Sequence, residues 1–385
     1  MPQDSMAGPD AARLQAAAAA DDAFGADVYR SLDASTRNTV FSPASIAAAL
    51  QMALCGARGT TAAQIAAALH LAGPEAAVDG LRLLAGELSA AGDGADVTLR
   101  APNTMWVQAG VPLSPGFTGQ LRDTAAVTVR PADFADAPRD ARAQINQLIA
   151  EQTAGKITDL LGPDAVSSAT RLLLANAVYL KAPWAFPFPG NATTDAPFYP
   201  GDAPLTVRMM RRTADLAYLR ADGYQAVLLP YQASRLAMAV VLPDGPLSAL
   251  APRLTGGLGP LLDGAARQSV ALALPKFRQR ASFGLIPVLR QLGVEDAFSD
   301  AADFSGITPA ERLFISAVVH QAYIDVDEHG TEAAAATAVV MRPMAMRRGP
   351  GPIQLVVDRP FLFAIIDTGT GLPLFLGHVV RPATG

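Results

Sequence analysis

A single cysteine, Cys55, stands in 385 residues. It allows no internal disulfide and no cysteine-based zinc cluster, and its expected role is that of a small buried apolar side chain. Histidine is nearly as scarce. The four present, His70, His320, His329 and His378, show neither HExxH spacing nor a Cys/His zinc pattern, so no metal and no cofactor are expected. No GxSxG nucleophile elbow, GxxxxGKS/T phosphate loop or GxGxxG turn occurs, which leaves no constellation for an enzyme. The triplet Asp367-Thr368-Gly369 is found in aspartic proteases as well, but it occurs once, between two apolar runs, and predicts a hairpin turn. Charge is sparse at 17 %, with a formal net charge of −5. The longest basic runs are the pairs Arg211-Arg212 and Arg347-Arg348, too little for a nucleic-acid or heparin surface. Apolar runs such as Leu236–Leu242 are far too short to span a bilayer, so no membrane contact is expected. The N-terminus has no basic start followed by an apolar core, so no signal peptide is recognisable. That makes a cytoplasmic location the expectation unless a leader was removed, with an extracellular one as the alternative.

Apolar residues, by contrast, make up 50 % of the chain, ample for one large domain or two average ones. Residues 1–22 read as a polar, Ala/Gly-rich flexible leader. Helical patterns follow over Ala23–Leu32, from Pro43, and over Thr60–Leu71, Ala76–Leu88 and Arg139–Leu161, the last with Gly155 as a bend or stop. Ala95–Gln108 is strand-like. From Thr170 onward strands dominate: Thr170–Leu180, Tyr224–Pro230, Leu236–Leu242, Val270–Pro275, Ala317–Asp325, Gln354–Val357, Phe361–Ile366 and Leu374–Val380. One more helix is predicted over Phe283–Leu292, which Pro287 would kink unless it lies in the first turn. Helices first and strands afterwards imply an α+β fold with large, mostly antiparallel sheets. Enrichment in Ala, Arg, Gly and Pro hints at a GC-rich bacterial genome.

The most unusual stretch is Val326–Met344, VDEHGTEAAAATAVVMRPM. In an extended strand, residues two apart share a face. One set, Thr331, Ala333, Ala335, Thr337, Val339 and Met341, carries no charge. The other, Glu332, Ala334, Ala336, Ala338, Val340 and Arg342, carries both charges. The run also suits an alanine-rich helix. Read as a strand, it can move from a loop into a sheet at little steric or desolvation cost, which suggests a segment that is cut by a protease and then taken up by the protein's own sheet. The following Arg342–Pro352 reads as a long loop.

Along nearly the whole chain, from about Ala23 to Pro382, these segments resemble the serpin family. The resemblance is carried by Phe41-Ser42-Pro43-Ala44-Ser45-Ile46, Gly56-Ala57-Arg58-Gly59-Thr60-Thr61 and Asn103-Thr104-Met105-Trp106-Val107-Gln108. It continues through Ile145-Asn146 with Gly155-Lys156-Ile157, Asn176-Ala177-Val178-Tyr179-Leu180-Lys181 with Trp184, and Leu274-Pro275-Lys276-Phe277. Asp358-Arg359-Pro360-Phe361-Leu362-Phe363 and Phe375-Leu376-Gly377-His378-Val379 complete it. It implies one domain over residues 23–385 with three β-sheets, eight or nine helices and an exposed reactive loop at about 328–352. It also implies a suicide substrate of serine proteases, in which an acyl-ester forms at the cut loop and the loop then enters the central sheet.

Residue by residue, the resemblance makes Gly330, Thr331, Glu332, Ala333, Ala334, Ala335, Ala336 and Thr337 the hinge, small as in inhibitory members. Ser42, Ser45, Asn176 and His320 match a polar cluster beneath the strands that part. Trp184, Lys276 and Glu328 match the point where the loop enters. Family spacing from Glu328 puts the cut bond at Met344–Ala345, suited to elastase-, chymotrypsin- or subtilisin-like proteases; Met346, Arg347 and Arg348 are alternatives, an arginine favouring trypsin-like enzymes. His329 replaces a commoner acidic residue before the hinge glycine. The region Ala76–Leu88 holds only Arg82, so no glycosaminoglycan cofactor is expected. A monomer is implied, with loop–sheet polymers as a hazard, and a non-inhibitory carrier or chaperone is the alternative function.

Overall fold

Ser42 and Pro43 start the helix around which the rest is arranged. The Ser42 hydroxyl accepts a bond from the Ser45 N–H at 3.2 Å, and Pro43 sits in the first turn, where its missing N–H is not needed. Every residue of Pro43–Gly56 is buried, as its nearly all-apolar sequence demands. The computed structural model describes residues 9–32, 37–92, 96–122, 124, 127–201, 203–332 and 351–383. Among them are eight α-helices and two hydrogen-bonded sheets.

The seven-stranded sheet runs in the order Phe277–Gly284, Ile315–Val326, Gly330–Thr331, Leu172–Pro183, Asn103–Gln108, Thr128–Ala132, and Thr98–Arg100 also pairs with Leu172–Pro183. Its central strand is covered on both faces, which its unbroken apolar sequence requires. Leu172, Leu174, Val178 and Leu180 face the main core with the Pro43–Gly56 helix. Leu173, Ala175, Ala177 and Tyr179 face a second core made with Trp106 and with Ile145 and Ile149 of helix Pro138–Gln152.

The nine-stranded sheet runs Thr39–Phe41, Pro373–Val379, Phe361–Asp367, Leu236–Pro243, Tyr224–Pro230, Leu205–Ala221, Ala266–Pro275, Ile353–Val356, with Thr194–Phe198 added beside Leu205–Ala221. The long strand Leu205–Ala221 pairs with Thr194–Phe198 near its start and with Tyr224–Pro230 near its end. It thereby joins into one ladder what would otherwise be two sheets, so the expected three appear as two bonded sets.

Several expectations need correction. Helix Pro9–Ser31 begins well before Ala23, with Leu14 and Ala18 buried; residues 9–22, expected as a flexible leader, are helical because alanine is the best helix former. Phe283 and Gly284 end the strand Phe277–Gly284, and the helix there is only Ile286–Gln291, with Pro287 in its first turn. The helix expected to Leu161 stops at Gln152, with Gly155 in the left-handed region. Asp367–Gly371 forms the hairpin turn: Asp367 Oδ1 accepts from the N–H groups of Gly369 and Thr370.

Gly377 has no room for a side chain. A Cβ there would lie 2.2 Å from the Thr39 carbonyl oxygen and 3.0 Å from the Val40 Cα, both backbone of the strand it pairs with. Gly377→Ala should destabilise the protein by more than about 2 kcal/mol, read as a lower denaturant midpoint; an unchanged midpoint would show that Thr39–Phe41 gives way freely.

Candidate functional site

Two parallel strands run side by side and then separate. Ile315–Val326 pairs with Leu172–Pro183 from Ile315↔Leu172 to Tyr323↔Tyr179. Beyond Tyr323 the two-residue strand Gly330–Thr331 lies between them, antiparallel to both: Thr331 pairs with Val326 on one side and Ala182 on the other, and Gly330 with Pro183. The first two residues expected to form the hinge thus occupy the sheet.

A tight turn puts them there. Asp327 Oδ1 accepts from the His329 N–H at 2.8 Å and the Gly330 N–H at 3.3 Å, and the Asp327 N–H donates to the Gly330 carbonyl at 3.0 Å. Gly330 has φ +156°, and a Cβ would meet the Ala182 carbonyl oxygen at 2.1 Å; only glycine fits. Thr331 is fully buried, and its hydroxyl lies 2.6 Å from the Tyr231 hydroxyl. Tyr231 in turn stacks on Trp184, with ring centroids 4.6 Å apart. Glu332 has φ +49°, a conformation that costs a side-chain-bearing residue about 1–2 kcal/mol. Its carboxylate is bonded to Lys156 Nζ.

The residues assigned to the loop's point of entrance are close together. Trp184 Nε1 donates to the Asp327 carbonyl at 3.0 Å, and its backbone N–H donates to the His329 carbonyl at 2.8 Å. Glu328 Oε2 lies 2.8 Å from Lys276 Nζ, and Oε1 accepts from the Thr193 hydroxyl at 2.8 Å. Burial alone would raise the Glu328 carboxyl, but the Lys276 ammonium, its own backbone N–H and the Thr193 hydroxyl hold it below the usual carboxylate range.

Lower in the sheet, Ser42, Ser45, Asn176 and His320 also meet. The Ser42 N–H donates to His320 Nε2 at 3.0 Å, and His320 Nδ1 is bonded to Asn176 Oδ1. A neutral imidazole with its proton on Nδ1 satisfies both contacts. Burial pushes that imidazole down to about 3. Ser45 Oγ donates to Asn103 Oδ1 at 2.7 Å, so Asn103 is a fifth member that sequence reasoning quoted only as part of a motif. Asn103 and Asn176 are register partners on adjacent strands, a pairing that no local sequence pattern signals. Asn176 Nδ2 has no hydrogen-bond partner among the described residues. Hinge residues 333–337, the Met344–Ala345 bond and the alternatives Met346, Arg347 and Arg348 lie outside the described residues. Tyr231, Asp327, Thr193 and Lys156 are contacts that sequence reasoning missed.

A family model described as Serpin (serine protease inhibitor) matches residues 19–382, and the chain belongs to that family. An uncharacterized serpin-like protein of Thermococcus kodakarensis is 38 % identical over 94 % of this chain and 85 % of its own length. The leukocyte elastase inhibitor of Bos taurus is 36 % identical over 96 % of this chain and 100 % of its own. Among solved structures, human thyroxine-binding globulin superposes with a TM-score of 0.85 at 25 % identity, covering 97 % of this chain and 100 % of that one. Matched relatives come from an archaeon, animals and plants, which gives no support to a bacterial source.

The buried histidine sets a pH dependence. An unfolded chain takes up the His320 proton near 6.5, whereas the folded protein resists it down to about 3. Acid therefore favours unfolding across that window, and the stability it removes is fully present above 6.5. Between pH 6.5 and 3, the wild type should lose up to about 1.4 kcal/mol per pH unit relative to His320→Gln. Thermal melts across that range check this, and parallel profiles for the two proteins would contradict it.

Proposed function

We propose that this protein inhibits serine proteases as a suicide substrate: its loop is cut, the protease is held as an acyl-ester, and the loop enters the seven-stranded sheet. The observation that carries the reading is the position of Thr331, seated between two parallel strands that are still joined below it. Each further residue inserted in this register pairs one residue back along both neighbours. Six steps bring Thr337 level with His320 and Asn176, which are themselves register partners now. Thr337 shares the face of Thr331, so its hydroxyl would arrive where the His320–Asn176 bond breaks and where Asn176 Nδ2 lacks a partner.

The driving force follows from ladder geometry. One parallel ladder is replaced by two antiparallel ones, which are slightly more stable per residue. About a dozen new backbone bonds at roughly 0.5–1.5 kcal/mol each give on the order of 10 kcal/mol, the size of an ordinary domain's stability. That suffices to distort a bound partner, and it leaves the uncut form kinetically trapped. The cut bond proposed is Met344–Ala345, with elastase-, chymotrypsin- or subtilisin-like proteases as targets. Similarity to the bovine elastase inhibitor supports that class.

Mixing the protein with one protease of each type, trypsin-like included, should give an SDS-resistant covalent complex with at least one, and N-terminal sequencing of the released fragment should begin at Ala345. Thr331→Arg forces a charge into a fully buried site; it should leave the loop cleavable but abolish the complex. Undiminished complex in that variant would rule out insertion. Nicking the wild type should raise the melting temperature by roughly 20 °C, at about 2 °C per kcal/mol. A carrier that does not insert its loop would melt alike before and after.

A further inference from the structure

Glu332 turns out of the sheet immediately after Thr331. Its N–H still donates to the Asp325 carbonyl at 2.8 Å, but its φ of +49° departs from the extended conformation of a strand. Its side chain lies back beside Tyr179 and Tyr323, the last register pair at which the two parallel strands are joined. There the Tyr179 hydroxyl is pushed up to about 12, first by burial and then by the Glu332 carboxylate. Lys156, from the turn after helix Pro138–Gln152, closes the arrangement: its ammonium is bonded to Glu332 Oε1 and lies 5.8 Å from the centroid of the Tyr323 ring. The glutamate side chain is only 15 % exposed, and Oε2 is buried without a hydrogen-bond partner among the described residues. The carboxylate is therefore held by the Lys156 ammonium, with the Tyr179 hydroxyl as its other neighbour.

Extending the strand by one residue would bring Glu332 level with Asp325 and Lys181, one step beyond the observed pairs. It would give up its left-handed conformation and set the carboxylate beside a like charge on one side and a lysine on the other, with Lys156 then shared with Asp325. We propose that Lys156 and Glu332 form a latch that stops the hinge at two inserted residues until the loop is cut. Lys156 is thus a positioning residue, acting through Glu332. Before cleavage a longer insertion must stretch a loop anchored at Ile353, and the ion pair is enough to hold it. After cleavage the whole strand is available, and its bonds outweigh one pair. This rests on the insertion reading above.

The test is the rate at which the intact protein takes up a synthetic peptide of residues 331–341, followed on native gels, together with the rate at which uncut protein spontaneously loses inhibitory activity. Lys156→Met and Glu332→Gln should each accelerate both by about tenfold, the weight of one partly buried ion pair. The double variant should be no faster than either single one, and Lys156→Arg should keep the wild-type rate. All nicked forms should melt alike. Lys156 is 38 % exposed, and equal starting melting temperatures would confirm that the variants fold. Equal peptide uptake by wild type and Lys156→Met, or additive effects of the two changes, overturns the latch alone. A wild type that takes up no peptide and gains no stability on nicking overturns insertion and latch together.

Discussion

Ile315–Val326 and Leu172–Pro183 are parallel, adjacent, and joined only up to Tyr323 and Tyr179. Two parallel neighbours with a gap at one end are an unusual arrangement, because a strand that enters antiparallel to both replaces one ladder with two. Much of the site is arranged around this joint. His320 and Asn176 tie it across the middle, and Ser42 anchors His320 to the start of the buried helix Pro43–Gly56. Ala175 and Ala177 line its other face beneath helix Pro138–Gln152, where small side chains would leave the least to displace under the proposed insertion. At the top, Gly330 and Thr331 fill the gap.

How legible this was in the sequence depended on whether an element announces itself locally. Tyr224–Pro230 and Leu236–Pro243 are apolar runs bounded by turn residues, and their limits were readable to within a residue. Leu205–Ala221, the longest strand, was not: Arg208 and Arg211 point to solvent between buried Val207, Met209 and Met210, so it carries neither an unbroken apolar run nor β-branched residues in number. Phe277–Gly284 was missed for a related reason, since Arg278 and Arg280 alternate with Phe277 and Gln279. Charge on an edge strand protects it from pairing with other chains, and the same charge hides it from a reader looking for hydrophobicity.

The site was legible in composition but not in contacts. Small residues marked the expected hinge, and the polar cluster could be carried over from the family because each member sits in a recognisable motif. The contacts that fix the hinge could not, because they join segments far apart in the chain: Tyr231 with Thr331, Trp184 with Asp327, Lys156 with Glu332. No local periodicity encodes such pairs.

Asp327 shows why those contacts matter. A strand entering this sheet must keep its phase, since a slip of one residue exchanges its two faces. In the observed register Thr331 meets Tyr231 and the main core, and under the proposed insertion the uncharged set of the loop would share its face. Slipped by one, the set containing Glu332 and Arg342 would turn toward Tyr231 and toward the apolar side of Leu172, Leu174 and Val178, where an unpaired charge is prohibitive. The Asp327 carboxylate, by accepting from the N–H groups of both His329 and Gly330, fixes the length of the turn and with it the phase. Glycine at 330 is the corollary, because the same turn brings the backbone against the Ala182 carbonyl, where a Cβ has no place. Under the proposed insertion, the composition of the loop would have meaning only in the phase that this turn imposes.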